Sequence, residues 1–319
     1  MNSHSTNTSI EVIEPQIKLK PNSGIKLSTA VSIVIPAYNE SEAIGNVLDT
    51  LLQGSEELNV EIIVVNDGSN DATSEIVKQF PVRLINHDRN IGYGAALKTG
   101  IQNSQGSHVL ICDADSQHRV DDIIKMIKLT NQYDVIISKR IKGSHQKRDR
   151  IIGKFIIKSI ANLLTGIRIP DINSGLRAFK KSIILKYLHL LPNGFSASTT
   201  STLIMLERGY RIHWLPIHTM PRVGKSSVKQ FRHGSQTILL ITRMITLFNP
   251  MKIFLPISFM LGAFGVIWSA IFWRGGFSTL GSLCLLSSIT IFFFGILCDH
   301  LSQLRLERFE AFVDKETIK

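Results

Sequence analysis

Val31-Ser-Ile-Val-Ile35-Pro36-Ala-Tyr38-Asn39-Glu40 is a β-branched run that meets a proline and opens into polar residues. Such a run reads as a short buried strand, with the polar residues in the loop at its carboxyl end. The same figure then repeats. Ser41–Leu52 has helical spacing, and Glu61–Val65 is a second strand closed by Asn66-Asp67-Gly68. Thr73–Gln79 reads as helix, Val82–Ile85 as strand, Gly94–Asn103 as helix and His108–Cys112 as strand. Val120–Thr130 (helix) and Asp134–Ser138 (strand) complete the series. Repeated units of this length predict an α/β fold, a mostly parallel sheet with helices on both faces. Ligands of such sheets sit at the carboxyl ends of the strands. The polar motifs fall there: Tyr38-Asn39-Glu40, Asn66-Asp67-Gly68-Ser69 and Asp113-Ala114-Asp115. No Gly-x-Gly-x-x-Gly follows the first strand, which disfavours a dinucleotide fold.

Asp113 and Asp115 follow the buried-looking strand that ends at Cys112. Two carboxylates one residue apart at a strand end can reach a single divalent cation, and oxygen ligands suit Mg²⁺ or Mn²⁺. Gln117 offers a further oxygen. Such an ion would neutralise a diphosphate leaving group. Asp67 has two readings, a turn acid in Asn-Asp-Gly-Ser or a hydrogen-bonding partner of a nucleotide base or ribose. Asn90-Ile-Gly92-Tyr-Gly94 precedes a helix, where glycines permit tight turns and close approach of backbone to a ligand.

After Ser138 the alternation gives way to Lys139–Lys158, with eight Lys/Arg and one acid, Asp149. Ile152, Phe155, Ile156, Ile160 and Leu163 share one helical face, so residues 139–168 read as a basic amphipathic element at a membrane surface. The alternative is an ordinary surface helix packed on the core. Ile238–Phe248 is a second apolar helix, within a juxtamembrane segment at 229–250. Ile253–Trp273 and Gly275–Cys298 are uncharged runs, each long enough to cross a hydrocarbon core of about 30 Å as a helix. Buried core helices are the alternative, which the lengths disfavour. Lys252, Arg243, Arg305 and Arg308 flank the outer ends, against Arg274 in the turn. Two spans within 251–299 are therefore expected, with both termini cytoplasmic and a cytoplasmic tail at 300–319.

The balance of 36 Lys+Arg against 25 Asp+Glu, a formal +11, calls for an anionic partner. The basic residues cluster beside membrane-type segments, so anionic lipid is preferred to nucleic acid. Cys112, Cys284 and Cys298 form neither a disulfide framework nor a zinc spacing, and fit a reducing compartment. Residues 1–28 are polar, carry no signal-peptide core, and are expected to be a disordered tail. The catalytic domain is expected at 29–228. A two-span hairpin also leaves helix surface for self-association as a homo-oligomer.

Ile35-Pro-Ala-Tyr-Asn-Glu40, Val65-Asn-Asp-Gly-Ser-Asn-Asp71, Asn90-Ile-Gly-Tyr-Gly-Ala-Ala96 and Asp113-Ala-Asp-Ser-Gln-His118 occur in that order. As a set they resemble family-2 glycosyltransferases with the GT-A fold. The nearer likeness is to the dolichol-phosphate mannose synthase and bacterial polyprenyl-phosphate glycosyltransferase branch. Asp171-Ile-Asn-Ser-Gly-Leu-Arg177 and Pro221-Arg-Val-Gly-Lys-Ser-Ser227 strengthen it. The likeness covers about Val31 to Val228. It implies an inverting, metal-dependent hexosyltransferase that takes a GDP- or UDP-linked sugar to an undecaprenyl or dolichyl phosphate, for envelope or glycan assembly. By the same resemblance, Pro36, Tyr38, Glu40 and Asp67 would hold the nucleoside. Asp113, Asp115 and Gln117 would hold Mg²⁺ or Mn²⁺ and the diphosphate. Asp171 would lie at the reaction centre. Arg222, Lys225 and Ser226 would sit on a loop closing over the substrates. Arg140, Lys154 and Ser159 would receive the lipid phosphate, although Phe155 stands where the family favours an arginine.

Three other readings compete. A polysaccharide synthase would carry Gln-x-x-Arg-Trp, which Gln230-Phe-Arg-His-Gly234 does not match. A membrane-anchored transferase with a non-lipid acceptor would leave the basic stretch without a purpose. A binding protein with a dead pocket would be marked by loss of an acidic metal ligand, and both Asp113 and Asp115 are present.

Overall fold

The computed structural model describes residues 10–13, 30–141, 169–172, 174–222, 249–272 and 278–317, with side chains as far as residue 304. The described residues up to 222 form one compact unit and those from 249 a second.

The first unit is built on an eight-stranded sheet: β1 (Ile10–Ile13), β2 (Val31–Ala37), β3 (Val60–Asn66), β4 (Arg83–His87), β5 (His108–Ile111), β6 (Val135–Arg140), β7 (Arg177–Lys180) and β8 (Ile212–Ile217). The order across the sheet is β1-β4-β3-β2-β5-β7-β6-β8. β2 lies between β3 and β5, parallel to both, and every one of its residues is buried. That explains its unbroken apolar character, since a central strand covered on both faces has no solvent side to alternate with. β7 runs antiparallel to both β5 and β6, and β1 antiparallel to β4. The remaining six strands share one direction, as the sequence pattern predicts.

Helices α1 (Ile44–Gly54), α2 (Thr73–Val77) and α4 (Val120–Leu129) cover one face, where Leu48, Val77 and Met126 pack with Ile33, Ile35 and Val64. On the other face α3 (Tyr93–Asn103) sets Ala96 against Ile63, Val65 and Ile85. Gly100 brings α3 close enough that a Cβ there would run into Val34. Two short elements follow β7: α5 (Lys181–Lys186) and α6 (Ala197–Glu207).

One expectation is corrected here. Residues 10–13 belong to the sheet, as an edge strand in register from Ile10↔His87 to Ile13↔Leu84, and not to a disordered tail. Strands β7 and β8 lie where sequence periodicity gave out, beyond the basic stretch. The membrane-surface segment 139–168 lies outside the described residues beyond Ile141, as does the helix expected at Ile238–Phe248.

The second unit is an antiparallel helix pair, α7 (Met251–Ile271) and α8 (Thr279–Thr317). Windows at Met251–Ile271 and Thr279–Leu304 have mean hydropathy 1.9 and 2.2 and are long enough to cross a bilayer. Gly265 and Gly281 let the backbones approach, and Ser288 Oγ donates to the Ser258 carbonyl at 2.7 Å. Such small-residue seams with a few polar bonds suit helix contact in lipid. Phe259, Met260, Leu286 and Phe293 point outward with more than half their surface exposed. The helix continues to Thr317, so the segment expected as a separate tail from residue 300 begins as helix.

Candidate active site

The carboxyl ends of β2, β3 and β5 are laced together by short loops. Beyond β2 the chain turns at Asn39, whose φ of 54° is left-handed, a conformation asparagine tolerates better than most residues. The Asn39 amide donates to Ser69 Oγ at 2.9 Å and its side chain accepts from the Asn70 amide at 2.9 Å. The Glu40 amide donates to Thr73 Oγ1 and the Ser41 amide to Asp71 Oδ2. Pro36 is buried within β2, and Tyr38 and Glu40 are half-buried beyond it.

Asp67 is 2 % exposed. Its Oδ1 meets His87 Nδ1 at 2.7 Å and accepts from the Ile91 amide at 3.0 Å, while Oδ2 accepts from the Gly92 amide at 2.8 Å. His87 Nε2 continues to Thr99 Oγ1 at 2.9 Å. The carboxylate is thus committed to the chain's own groups and braces the loop that opens α3. Gly92 has φ 119°, and a Cβ there would strike the Asn193 carbonyl, which fixes the need for glycine.

After β5 come Asp113 and Asp115. Asp113 Oδ1 accepts from the Tyr93 hydroxyl at 3.0 Å, and His118 Nε2 lies 3.9 Å from Oδ2. Burial would raise the Asp113 pKa, but His118, Tyr93 and the buried Arg177 guanidinium outweigh it and hold the carboxyl below the usual range. Asp115 moves the other way, raised by burial and by the Asp113 charge. Its Oδ1 accepts from the Gln117 amide at 3.2 Å. The segment after β8 is tied to this loop: the Met220 amide donates to the Gln117 carbonyl at 3.0 Å, and Gln117 Nε2 to the Met220 carbonyl at 3.4 Å. From that segment Arg222 bridges two carboxylates, pairing with Glu40 and standing 3.5 Å from Asp115 Oδ2. Burial raises the Glu40 pKa to about 7, with Arg222 pulling it back.

At the end of β6, Arg140 is gripped by Asp171 in a fork: Nε donates to Oδ2 and Nη2 to Oδ1, both at 2.7 Å. The Arg140 Nη1 edge has no partner among the described residues, and the Asp113 charge acts on this guanidinium. The aromatic pair Tyr93–Phe195, stacked at 5.5 Å, borders Asp113.

Among the described residues no three or more His, Cys, Asp or Glu side chains form a chelating cluster. The chain offers two adjacent carboxylates, Asp113 and Asp115, with a cation, Arg222, lying against the second. That donor set fits a hard divalent ion held by one or two carboxylates and completed by substrate phosphates and water. The structure brings Glu40, Asp113, Asp115, Gln117 and Arg222 together and pairs Arg140 with Asp171. Lys154, Ser159 and Lys225 lie outside the described residues. Sequence reasoning missed Tyr93, His87, His118 and Arg177. The one available signal was the hydroxyl run Ser198-Thr-Thr-Ser-Thr202, wholly buried against a strand arginine.

A mixed sheet with an Asp-x-Asp loop at the carboxyl end of a central strand defines a GT-A-type sugar-transfer domain. The chain belongs to glycosyl transferase family 2, whose description matches residues 32–188, and the GtrB C-terminal hairpin matches residues 249–304. A UDP-N-acetylglucosamine–dolichyl-phosphate N-acetylglucosaminyltransferase of Methanococcus voltae is 30% identical over 218 residues, covering 60% of this chain and 85% of that one. An undecaprenyl-phosphate 4-deoxy-4-formamido-L-arabinose transferase of Pseudomonas syringae pv. syringae is 29% identical over 259 residues, 76% of this chain and 72% of that one. Among solved structures, glucosyl-3-phosphoglycerate synthase from Mycobacterium tuberculosis, in complex with Mn²⁺, UDP and phosphoglyceric acid, shares the fold. It has a TM-score of 0.55 and 17% identity, over 68% of this chain and 78% of that one. The protein is an integral membrane glycosyltransferase, with the matched hairpin supplying its two candidate spans.

Proposed function

We propose that the protein transfers a sugar from a GDP- or UDP-linked donor to a polyprenyl phosphate, with inversion at the anomeric carbon. The relatives that span most of their length on this chain act on undecaprenyl or dolichyl phosphate. The observation that carries the reading is the Asp171–Arg140 fork, which holds a guanidinium edge open beside Asp113. A phosphate acceptor is already ionised near pH 7 and needs little help from a general base. It needs a fixed cation, and an arginine pinned on one edge offers the other bidentately. Asp171 then orients Arg140 and does not serve as a base.

Glu40, Tyr38 and Pro36 border the nucleoside end of the site, and Asp67 supports it from beneath. Asp113 and Asp115, with Gln117, would hold Mg²⁺ or Mn²⁺, which when bound neutralises the departing diphosphate. Arg222, from the segment latched on Gln117, adds positive charge on the same side, with Lys225 further along that segment. Lys154 and Ser159 belong to the basic stretch that would meet lipid headgroups. The bias of Lys252, Arg305 and Arg308 against Arg274 supports a cytoplasmic side for the catalytic unit and both termini. A reporter after Lys319 should be cytoplasmic and a tag at Gly275 external; an internal tag would remove the two-span topology.

The deciding experiment is an acceptor assay in detergent, with a panel of nucleotide-sugars and short polyprenyl phosphates and products resolved by mass. Arg140→Ala should cost about 2 kcal/mol in kcat/KM for the acceptor, the size of one charged hydrogen-bonded contact, with donor binding nearly unchanged. Native rates in that variant would move the lipid phosphate to another site. Transfer only to soluble acceptors would replace the lipid reading altogether.

A further inference from the structure

Arg177 is fully buried on β7, and none of its described contacts is a carboxylate. Nε donates to the Ser174 carbonyl at 3.0 Å, and Nη2 reaches the same oxygen. Nη1 donates to the Ser198 carbonyl at 2.6 Å and to Ser201 Oγ at 2.7 Å, with Thr202 Oγ1 at 3.4 Å. A buried charge left without an ion-pair partner is costly unless its donors are satisfied and a countercharge lies near. The neutral cage satisfies the donors. The carboxylates within electrostatic reach are Asp113 and Asp171, both at the site.

The two groups that Arg177 grips are the two that shape Asp113. Its hold on the Ser174 carbonyl fixes Gly175, where a Cβ would land on Asp113 Oδ2. Its hold on Ser198 fixes the head of α6, where Ser198 acts on the Tyr93 hydroxyl that donates to Asp113 Oδ1. Each carboxylate oxygen of Asp113 therefore rests on an element that Arg177 anchors. Part of the buried run Ser198–Thr202 is explained at the same time: the hydroxyls of Ser201 and Thr202, with the Ser198 carbonyl, are the arginine's polar lining.

We propose that Arg177 is a positioning residue for donor binding: it clamps the Ser174–Gly175 loop and the start of α6 around Asp113, setting that carboxylate to receive the metal–diphosphate of the nucleotide-sugar. The assignment rests on the donor-site reading above but not on the identity of the acceptor. It is tested on the purified full chain in detergent, with bound Mn²⁺ followed by electron paramagnetic resonance in the presence of UDP and, separately, GDP. Arg177→Lys keeps the charge and loses the fork. It should weaken Mn²⁺–nucleotide binding by roughly 10-fold or more, as changes behind a metal ligand do. KM for polyprenyl phosphate should stay within about 2-fold, since no acceptor contact is touched, whereas general loosening of the fold would move both. Gly175→Ala reaches Asp113 from the other side without altering Arg177 and should weaken Mn²⁺–nucleotide binding likewise; it decides the matter if Arg177→Lys does not fold. Native-like binding in both variants overturns the role of Arg177 alone. A native protein that binds Mn²⁺ with neither nucleotide overturns the donor site itself, and this assignment with it.

Discussion

β3 and β5 flank the central strand, and each is followed within two residues by an aspartate, yet the two carboxylates live in opposite circumstances. Asp67 receives two backbone amides and a histidine, and is shut from solvent. Asp113 receives a tyrosine hydroxyl and a distant histidine, no backbone amide, and keeps 29% of its side chain exposed. The first has its acceptor capacity filled by the fold, so it stabilises a loop. The second is held ionised with capacity to spare, beside Asp115. Position at a strand end marks both as site candidates, but the supply of donors separates a carboxylate already bonded by the fold from one with acceptor capacity to spare.

The largest effect should come from the open end. Asp113→Ala or Asp115→Ala should lower transfer by about 10³-fold, roughly 4 kcal/mol, and chelation should do the same to the native enzyme. Melting should fall little, because neither residue is braced as Asp67 is. Full turnover in excess chelator would take the metal out of the reaction and dissolve the contrast.

The closed end should answer differently. Asp67→Asn keeps the shape but cannot accept every bond from His87, Ile91 and Gly92. It should cost about 2 kcal/mol of stability, the range for a charged hydrogen bond lost in the interior, or about 4–8 °C in Tm for a domain of this size. Transfer should fall less than for Asp113. The contrary pattern, an unchanged Tm with a raised donor KM, would restore Asp67 to direct contact with the nucleoside.

The contrast also shows where the sequence is legible. The repeat from Val31 to Ser138 was readable because each strand is local, β-branched and closed by a turn signal, so periodicity alone orders it. β7 was not: four residues with Arg177 and Lys180 at its ends show no apolar alternation, and only pairing with β5 and β6 makes them a strand. β1 escaped for the same reason, being a four-residue edge completed by β4. Asp113, Asp115, Glu40 and Arg222 could be named as candidates because motif order carries them. The brace of Asp67 by His87 was invisible, since 20 residues separate the partners and only the fold brings them to 2.7 Å. Arg177 had a mark in the hydroxyl run of α6, although nothing local says what that run surrounds.

Between the two strand ends, on the loop after β2, Glu40 supplies a third carboxylate and the smallest test. Burial raises its pKa from 4.5 to about 7, the charges of Asp115 and Asp113 add to the rise, and Arg222 opposes it. In the unfolded chain the group ionises near its ordinary value. Between the two pKa values the folded protein therefore binds more protons than the unfolded one, so stability falls as pH climbs from about 4.5 to about 7. The slope cannot exceed about 1.4 kcal/mol per pH unit, and partial solvation of the side chain reduces it, to roughly half on an order-of-magnitude view. Glu40→Gln removes the titration and keeps the shape, so its slope in this window should be shallower than the native one. The measurement is thermal melting of the metal-free protein in chelator, native and variant side by side from pH 5 to pH 8. The two curves should separate steadily towards pH 7 in favour of the variant. Parallel curves would mean that Glu40 is ionised across the whole range, held so by Arg222, and that the Arg222 bridge behaves as an ordinary ion pair at the mouth of the site.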